Sequence, residues 1–244
     1  MSPKKILIFG FPHCGTTIMR NIMGHIPDVE EVLSEGEKIP KEILRKCKKK
    51  FIVLKYPFIN GAFFNPEYSD FIKIIMIRNP LWVFSSFNKR FLRQEFPGCT
   101  VQDYINNLRQ FNKYKDGHRE DIIALRYEDI FPNNYQRLRE IYGKIGLEYT
   151  DEIFNNEKYK NYVIGETHQG IKYDYIPEEK PDNHSHRNFR TWQVNQKFRN
   201  MNDESKIKIT PMQKSRIIND KDIIAVYPEV VEIINRVGTT NEYK

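Results

Sequence analysis

Lys5–Arg20 reads KILIFGFPHCGTTIMR. Its first part, KILIFG, is a short apolar run ended by glycine, the pattern of a strand buried on both faces of a parallel sheet. Gly10 and Gly15 then bound a short loop, and a helical stretch opens at Thr16. A strand, a glycine-bounded loop and a helix N-terminus together make an anion site. Successive backbone N–H groups point inward, and the positive end of the helix dipole adds to them. Thr16 and Thr17 supply hydroxyl donors at the same place.

Outward from this loop, three more apolar runs have the character of interior strands: Phe51–Lys55, Ile72–Ile77 and Asp121–Arg126. Helical stretches fall between them, at about Thr16–His25, Lys41–Lys49, Leu81–Leu92, Val101–Tyr114 and Asn134–Gly146. Strands alternating with helices predict an α/β fold, a three-layer sandwich on a central parallel sheet of four to five strands with right-handed crossovers. The whole chain of 244 residues is expected to be one domain. The stretch from about Tyr159 to Ile209 is rich in Asn, Lys, Tyr, Pro and His with little periodicity. It reads as a lid ordered by ligand. Two short helices are expected to close the chain, around Pro211–Asn219 and Pro228–Arg236.

Composition narrows the class. Lys and Arg number 39 against 32 acidic residues, a net charge of +7. That excess suits a binder of anionic small molecules such as nucleotides and does not call for nucleic acid. The three cysteines, Cys14, Cys47 and Cys99, show no paired spacing, so neither a disulfide framework nor a metal site is expected. No apolar run reaches the roughly 18 residues of a membrane span. The first apolar run is also shorter than the roughly 7–15 residues of a signal-peptide core. The expected setting is cytoplasmic.

The loop is close to the Walker A pattern G-x-x-x-x-G-K-[ST], but Thr16 stands where the lysine belongs. A kinase or NTPase would lack the cation that reaches the β- and γ-phosphates. Gly10, Pro12, Gly15, Thr16, Thr17 and Met19 instead resemble the 5′-phosphosulfate loop G-x-P-[RK]-S-G-T-T-x-[LM] of the sulfotransferases that use 3′-phosphoadenosine 5′-phosphosulfate (PAPS). Two positions depart from it: His13 replaces Arg or Lys, and Cys14 replaces Ser. Farther on, Arg78-Asn-Pro-Leu-Trp-Val-Phe-Ser-Ser86 resembles that family's 3′-phosphate motif R-[ND]-P-x-[DE]-x-x-x-S. Arg78 would leave a strand tip as a planar donor fork for phosphate. Ser86 would face the same anion from the next helix. Trp82 takes the place of the acidic residue, with core packing as its expected role. Arg126-Tyr-Glu-Asp-Ile130 is similar to the family's R-Y-E-D-L, and Tyr127 and Glu128 are expected to organise the site from below. Arg187-Asn-Phe-Arg190-Thr-Trp-Gln-Val-Asn-Gln196 looks like a looser R-x-W-Q-x-N-Q segment, with Arg187 and Arg190 closing over the donor.

The resemblance implies the P-loop-like sulfotransferase fold, PAPS as donor substrate, adenosine 3′,5′-bisphosphate (PAP) as product, and no metal. Donor contacts would come from Pro12, His13, Cys14, Gly15, Thr16, Thr17, Arg78, Ser86, Arg187 and Arg190. His13 would support charge on the leaving oxygen, and its imidazole makes that support dependent on pH. Cys14 is read as a substitute for serine. Lys55, in Leu54-Lys-Tyr-Pro-Phe58, would touch the sulfuryl oxygens or else stand as a solvent-facing strand end. No histidine base accompanies it, so the base is sought some 20 residues past the first loop, where tyrosylprotein, glycan and bacterial branches carry a Glu. Glu35 is the first candidate and Glu37 the second. The acceptor is open among carbohydrate, phenol or tyrosine, and other hydroxyls or amines. Aromatic loop residues Phe63, Phe64, Tyr68, Tyr173 and Tyr175 suit each of these. A nucleotide kinase with a degenerate Walker A and a non-catalytic nucleotide-binding relative stand as alternatives.

Overall fold

All four apolar runs form strands, and a fifth strand joins them. The computed structural model describes residues 2–36, 38–58, 61–91, 98–117, 119–155, 165–166, 172–173 and 198–237. In chain order these residues form β1 (Lys4–Gly10), α1 (Thr16–Gly24), β2 (Val29–Glu35), α2 (Lys41–Lys46) and β3 (Phe51–Tyr56). Next come β4 (Phe71–Ile77), α3 (Pro80–Phe91), α4 (Val101–Tyr114), β5 (Ile122–Arg126) and α5 (Pro132–Ile145). A two-residue ladder pairs β6 (Gly165–Glu166) with β7 (Lys172–Tyr173). The chain then forms α6 (Pro211–Asn219), α7 (Lys221–Val226) and α8 (Glu229–Val237).

The central sheet has the order β2-β3-β1-β4-β5, and every pairing in it is parallel. The chain leaves β1 toward one edge and leaves β4 toward the other. With right-handed crossovers, α1 and α4 therefore lie on opposite faces, and the sheet becomes the middle of three layers. Ile6, Leu7, Ile8 and Phe9 are fully buried, as the apolar run requires of a strand covered on both sides.

The added strand β2, VEEVLSE, carries charges that hid it from a search for apolar runs. One of them is neutralised in the fold. Glu31 is buried in an ion pair with Arg20 of α1, with Oε1 2.7 Å from Nε. Arg20 Nη1 also donates to the carbonyls of Val32 (3.2 Å) and Leu33 (2.8 Å). One arginine on α1 thus holds three consecutive positions of β2.

Two other differences from expectation have local causes. α2 ends at Lys46 because Cys47 turns to an extended conformation before β3. The α5 stretch opens with Asn133, Asn134 and Tyr135 all in the left-handed region, at φ 51°, 53° and 59°. Asparagine tolerates that region, but an aromatic residue there is strained. Stacking holds Tyr135 in place: its ring stacks on Phe154 (centroids 4.5 Å, 7° between planes) and on Phe198 (5.2 Å, 21°). The residues from Phe198 on, placed by sequence in the irregular stretch, return to pack against α3. Asn88 Nδ2 of α3 donates to Lys208 O (2.9 Å), and Lys208 N donates to Ser85 Oγ (2.8 Å). No helix among the described residues is long and apolar enough to cross a membrane.

Candidate active site

Because β1 and β4 are neighbours whose following chains diverge, a crevice opens outside their carboxyl ends. Such a switch point is where open parallel sheets take ligands. Both predicted anion loops meet there. Gly10 ends β1 so close to β4 that a Cβ would lie 2.2 Å from the carbonyl oxygen of Met76, so only glycine fits. Gly15 stands before α1 with φ 89°, and a Cβ on it would lie 2.5 Å from the Tyr127 ring. No side chain caps the helix at Gly15, which leaves its first N–H groups to an anion. Thr16 and Thr17 are buried at this end.

Cys14 is fully buried, and burial pushes its thiol well above the usual range. It fills space as a small neutral side chain, and the thiolate a nucleophile needs is suppressed. Alkylation of the native protein at pH 8, mapped by mass spectrometry, is accordingly expected to spare Cys14, which reacts only after unfolding. Rapid native labelling of Cys14 would refute this assignment.

Around Arg78 the structure builds a second cluster. The guanidinium lies over the Tyr127 ring, 4.4 Å from its centroid, and is itself buried. Nε donates to Asn202 Oδ1 (2.8 Å), and Nη1 donates to the backbone carbonyl of His13 (3.3 Å). Ser86 Oγ is 3.0 Å from Nδ1 of His13, whose ring meets Phe87 edge-on at 5.5 Å. His13 has φ 68°, a strained conformation that turns its carbonyl to Arg78 and its ring to Ser86. His13 therefore links the two anion loops. Trp82, one helical turn before Ser86, is half-buried, and its indole Nε1 finds no hydrogen-bond partner among the described residues.

Below Arg78, Glu128 gathers donors. Oε1 accepts from Asn79 N (2.9 Å) and from Asn202 Nδ2 (3.0 Å), while Oε2 accepts from Tyr227 Oη (3.4 Å). Burial raises the Glu128 pKa. Asn79, fully buried, caps α3 by accepting from Leu81 N (3.0 Å) and donates from Nδ2 to Glu229 of α8 (2.9 Å). Tyr127 Oη accepts from Met201 N (3.0 Å) and donates to Arg199 O (3.3 Å).

A third cluster stands at the ends of β2 and β3, where Glu35 and Lys55 sit in register. Lys55 is buried, which sets aside the weaker of its two readings, a solvent-facing strand end. Its Nζ donates to Thr17 Oγ1 (2.7 Å) and pairs with Oε1 of Glu35, which keeps 30% of its side chain exposed. Glu35 is thus a partly exposed carboxylate tied through Lys55 to the first loop. Glu37, Arg187 and Arg190 lie outside the described residues, as does most of the predicted lid. Asn202 and Asn79 escaped the sequence reading. Asn79 lay inside a quoted motif without a role, and Asn202 is 124 positions from the arginine it contacts.

Comparison with known proteins bears on the fold. No family model and no curated protein matches the chain. Among solved structures, mouse sulfotransferase SULT7A1 complexed with PAP aligns with 93% of this chain and 88% of its own, at a TM-score of 0.58 and 14% identity. The sulfotransferase domain of the Synechococcus PCC 7002 olefin synthase aligns with 63% of this chain and 77% of its own, at a TM-score of 0.46 and 15% identity. The chain has the sulfotransferase fold.

Proposed function

We propose that the protein is a PAPS-dependent sulfotransferase that moves a sulfuryl group to an acceptor hydroxyl or amine. One observation carries the reading: an uncapped helix N-terminus and a buried arginine converge on one switch-point crevice, joined through His13. Two anion-binding ends on one crevice suit a donor with phosphate groups at two places on one nucleotide. PAP in the mouse structure of similar fold supports the same class of donor.

The residues divide the chemistry between them. The N–H groups at the start of α1, with Thr16 and Thr17, hold the 5′-phosphosulfate end. Arg78 and Ser86 hold the 3′-phosphate, with Arg187 and Arg190 as further donor contacts. Glu35 accepts the proton of the acceptor as its oxygen or nitrogen attacks sulfur. The new bond to sulfur forms in line as the bond from sulfur to the phosphate oxygen breaks, leaving PAP. Lys55 offsets charge on the equatorial sulfuryl oxygens, and His13 offsets charge at the leaving phosphate. The division parallels phosphoryl transfer, where positioning and charge do most of the work. The chain is expected to act in the cytoplasm on a carbohydrate, phenol, tyrosine or related acceptor.

Thermal unfolding tests the donor. PAP at roughly 100 times its Kd stabilises by about 2.7 kcal/mol, so the melting temperature should rise by several degrees, and it should rise little with ATP and Mg²⁺. Arg78→Ala should abolish the shift. Stabilisation by ATP–Mg²⁺ alone would favour a nucleotide kinase, and labelled sulfate transfer from PAPS separates an enzyme from a silent binder.

A further inference from the structure

Arg78 does not hold itself in place. Its Nε is committed to Asn202, one Nη1 proton to the His13 carbonyl, and its flat face to Tyr127. Among the described residues Nη2 has no hydrogen-bond partner, so the terminal amino groups are what Arg78 presents to the crevice. Asn202 sets that presentation, and it is set in turn. Its amide has a donor end and an acceptor end, and either can face a neighbour until something orients it. Glu128 does so. Oε1 accepts only, so it draws the Nδ2 end of Asn202 (3.0 Å) and turns Oδ1 toward Arg78 Nε. The same oxygen accepts Asn79 N (2.9 Å), which anchors Glu128 to the β4–α3 loop that carries Arg78.

From this geometry we infer that Asn202 is a positioning residue for recognition of the 3′-phosphate, acting through Arg78 and oriented by Glu128. Without Asn202, Nε turns outward to find another acceptor, and the guanidinium swings from the end-on pose. The inference rests on the donor reading given above. It adds that discrimination for the 3′-phosphate depends on a residue of the segment that follows Phe198, far in sequence from both anion loops. Asn202 sits on a half-buried loop and supports no helix or strand, so its replacement is compatible with folding.

The experiment compares PAP with adenosine 5′-monophosphate, which lacks the 3′-phosphate, by calorimetric titration of the full chain. Wild type should prefer PAP. Asn202→Ala should weaken PAP about tenfold and leave the monophosphate within about twofold, the loss of one hydrogen bond to a charged group. Asn202→Ser, too short to reach Nε, should behave alike and serves if the alanine variant is poorly folded. Asn202→Asp should lose more than alanine does, because a carboxylate there neutralises Arg78 and faces Glu128. Unchanged PAP binding in Asn202→Ala and Asn202→Ser, or an equal fall for both nucleotides, overturns the positioning role and leaves the donor reading standing. A wild type with no preference for PAP overturns the donor reading and the inference with it.

Discussion

Glu35→Gln is expected to slow sulfuryl transfer by about 10²–10⁴-fold, the usual contribution of a positioned general base, while the stabilisation by PAP stays intact. Glutamine keeps the shape of the side chain and a carbonyl for Lys55 Nζ, but it takes no proton from an acceptor. Lys55 also keeps its bond to Thr17 Oγ1 (2.7 Å), so the first loop retains its support. The substitution therefore separates proton removal from donor binding. Rate is read by labelled sulfate transfer and binding by thermal shift on the same protein. A wild-type rate would remove Glu35 from the reaction and turn attention to Glu37. Loss of PAP binding together with rate would assign the Glu35–Lys55 pair to holding the donor.

The second large effect concerns folding. Glu31→Gln should destabilise the protein by about 3–5 kcal/mol, the usual cost of breaking a buried ion pair from one side. Arg20 is 1% exposed and cannot shed its charge. After the substitution it keeps the carbonyls of Val32 and Leu33 but loses its counter-ion. The double variant Arg20→Met, Glu31→Gln should cost less than the sum of the single changes, since no uncompensated charge remains. Urea unfolding of the three variants measures this directly. A single-variant cost below about 1 kcal/mol would show that water or rearrangement satisfies Arg20. Stability and function meet at this pair. α1 carries the first anion loop at its start and Arg20 on its second turn, while β2 carries Glu35 at its end, so their separation is set here.

The interior of the sheet was legible in the sequence because strands covered on both faces must be mostly apolar, as KILIFG and FIKIIMI are; the one charge inside the second, Lys73, is buried and paired with Asp121. The edge strand β2 was not, because the burial of Glu31 depends on a partner on another element, and no local pattern reports that. The anion loops were legible for a related reason. Gly10 and Gly15 answer to backbone constraints within one strand–loop–helix unit, and Arg78 and Ser86 are separated by helical spacing. The network beneath them was not legible. Asn202, Glu128, Asn79 and Glu229 come from four distant stretches, and asparagine and glutamate occur too widely for spacing to mark them. Lys55 shows the converse. Its residue type was noted, but only the packing reveals that it is enclosed between Thr17 and Glu35.

Tyr135, stacked on both Phe154 and Phe198, fastens the two ends of the intervening chain to a single point. For the core, that stretch is a detour that begins and ends at one address. Because the cost of closing a loop rises by only about 0.6 kcal/mol per doubling of its length, the entropy of closing this one depends little on how many residues lie between Phe154 and Phe198. Most of the proposed donor contacts stand outside that detour, on β1, β4 and their loops, while Arg187 and Arg190 fall within it.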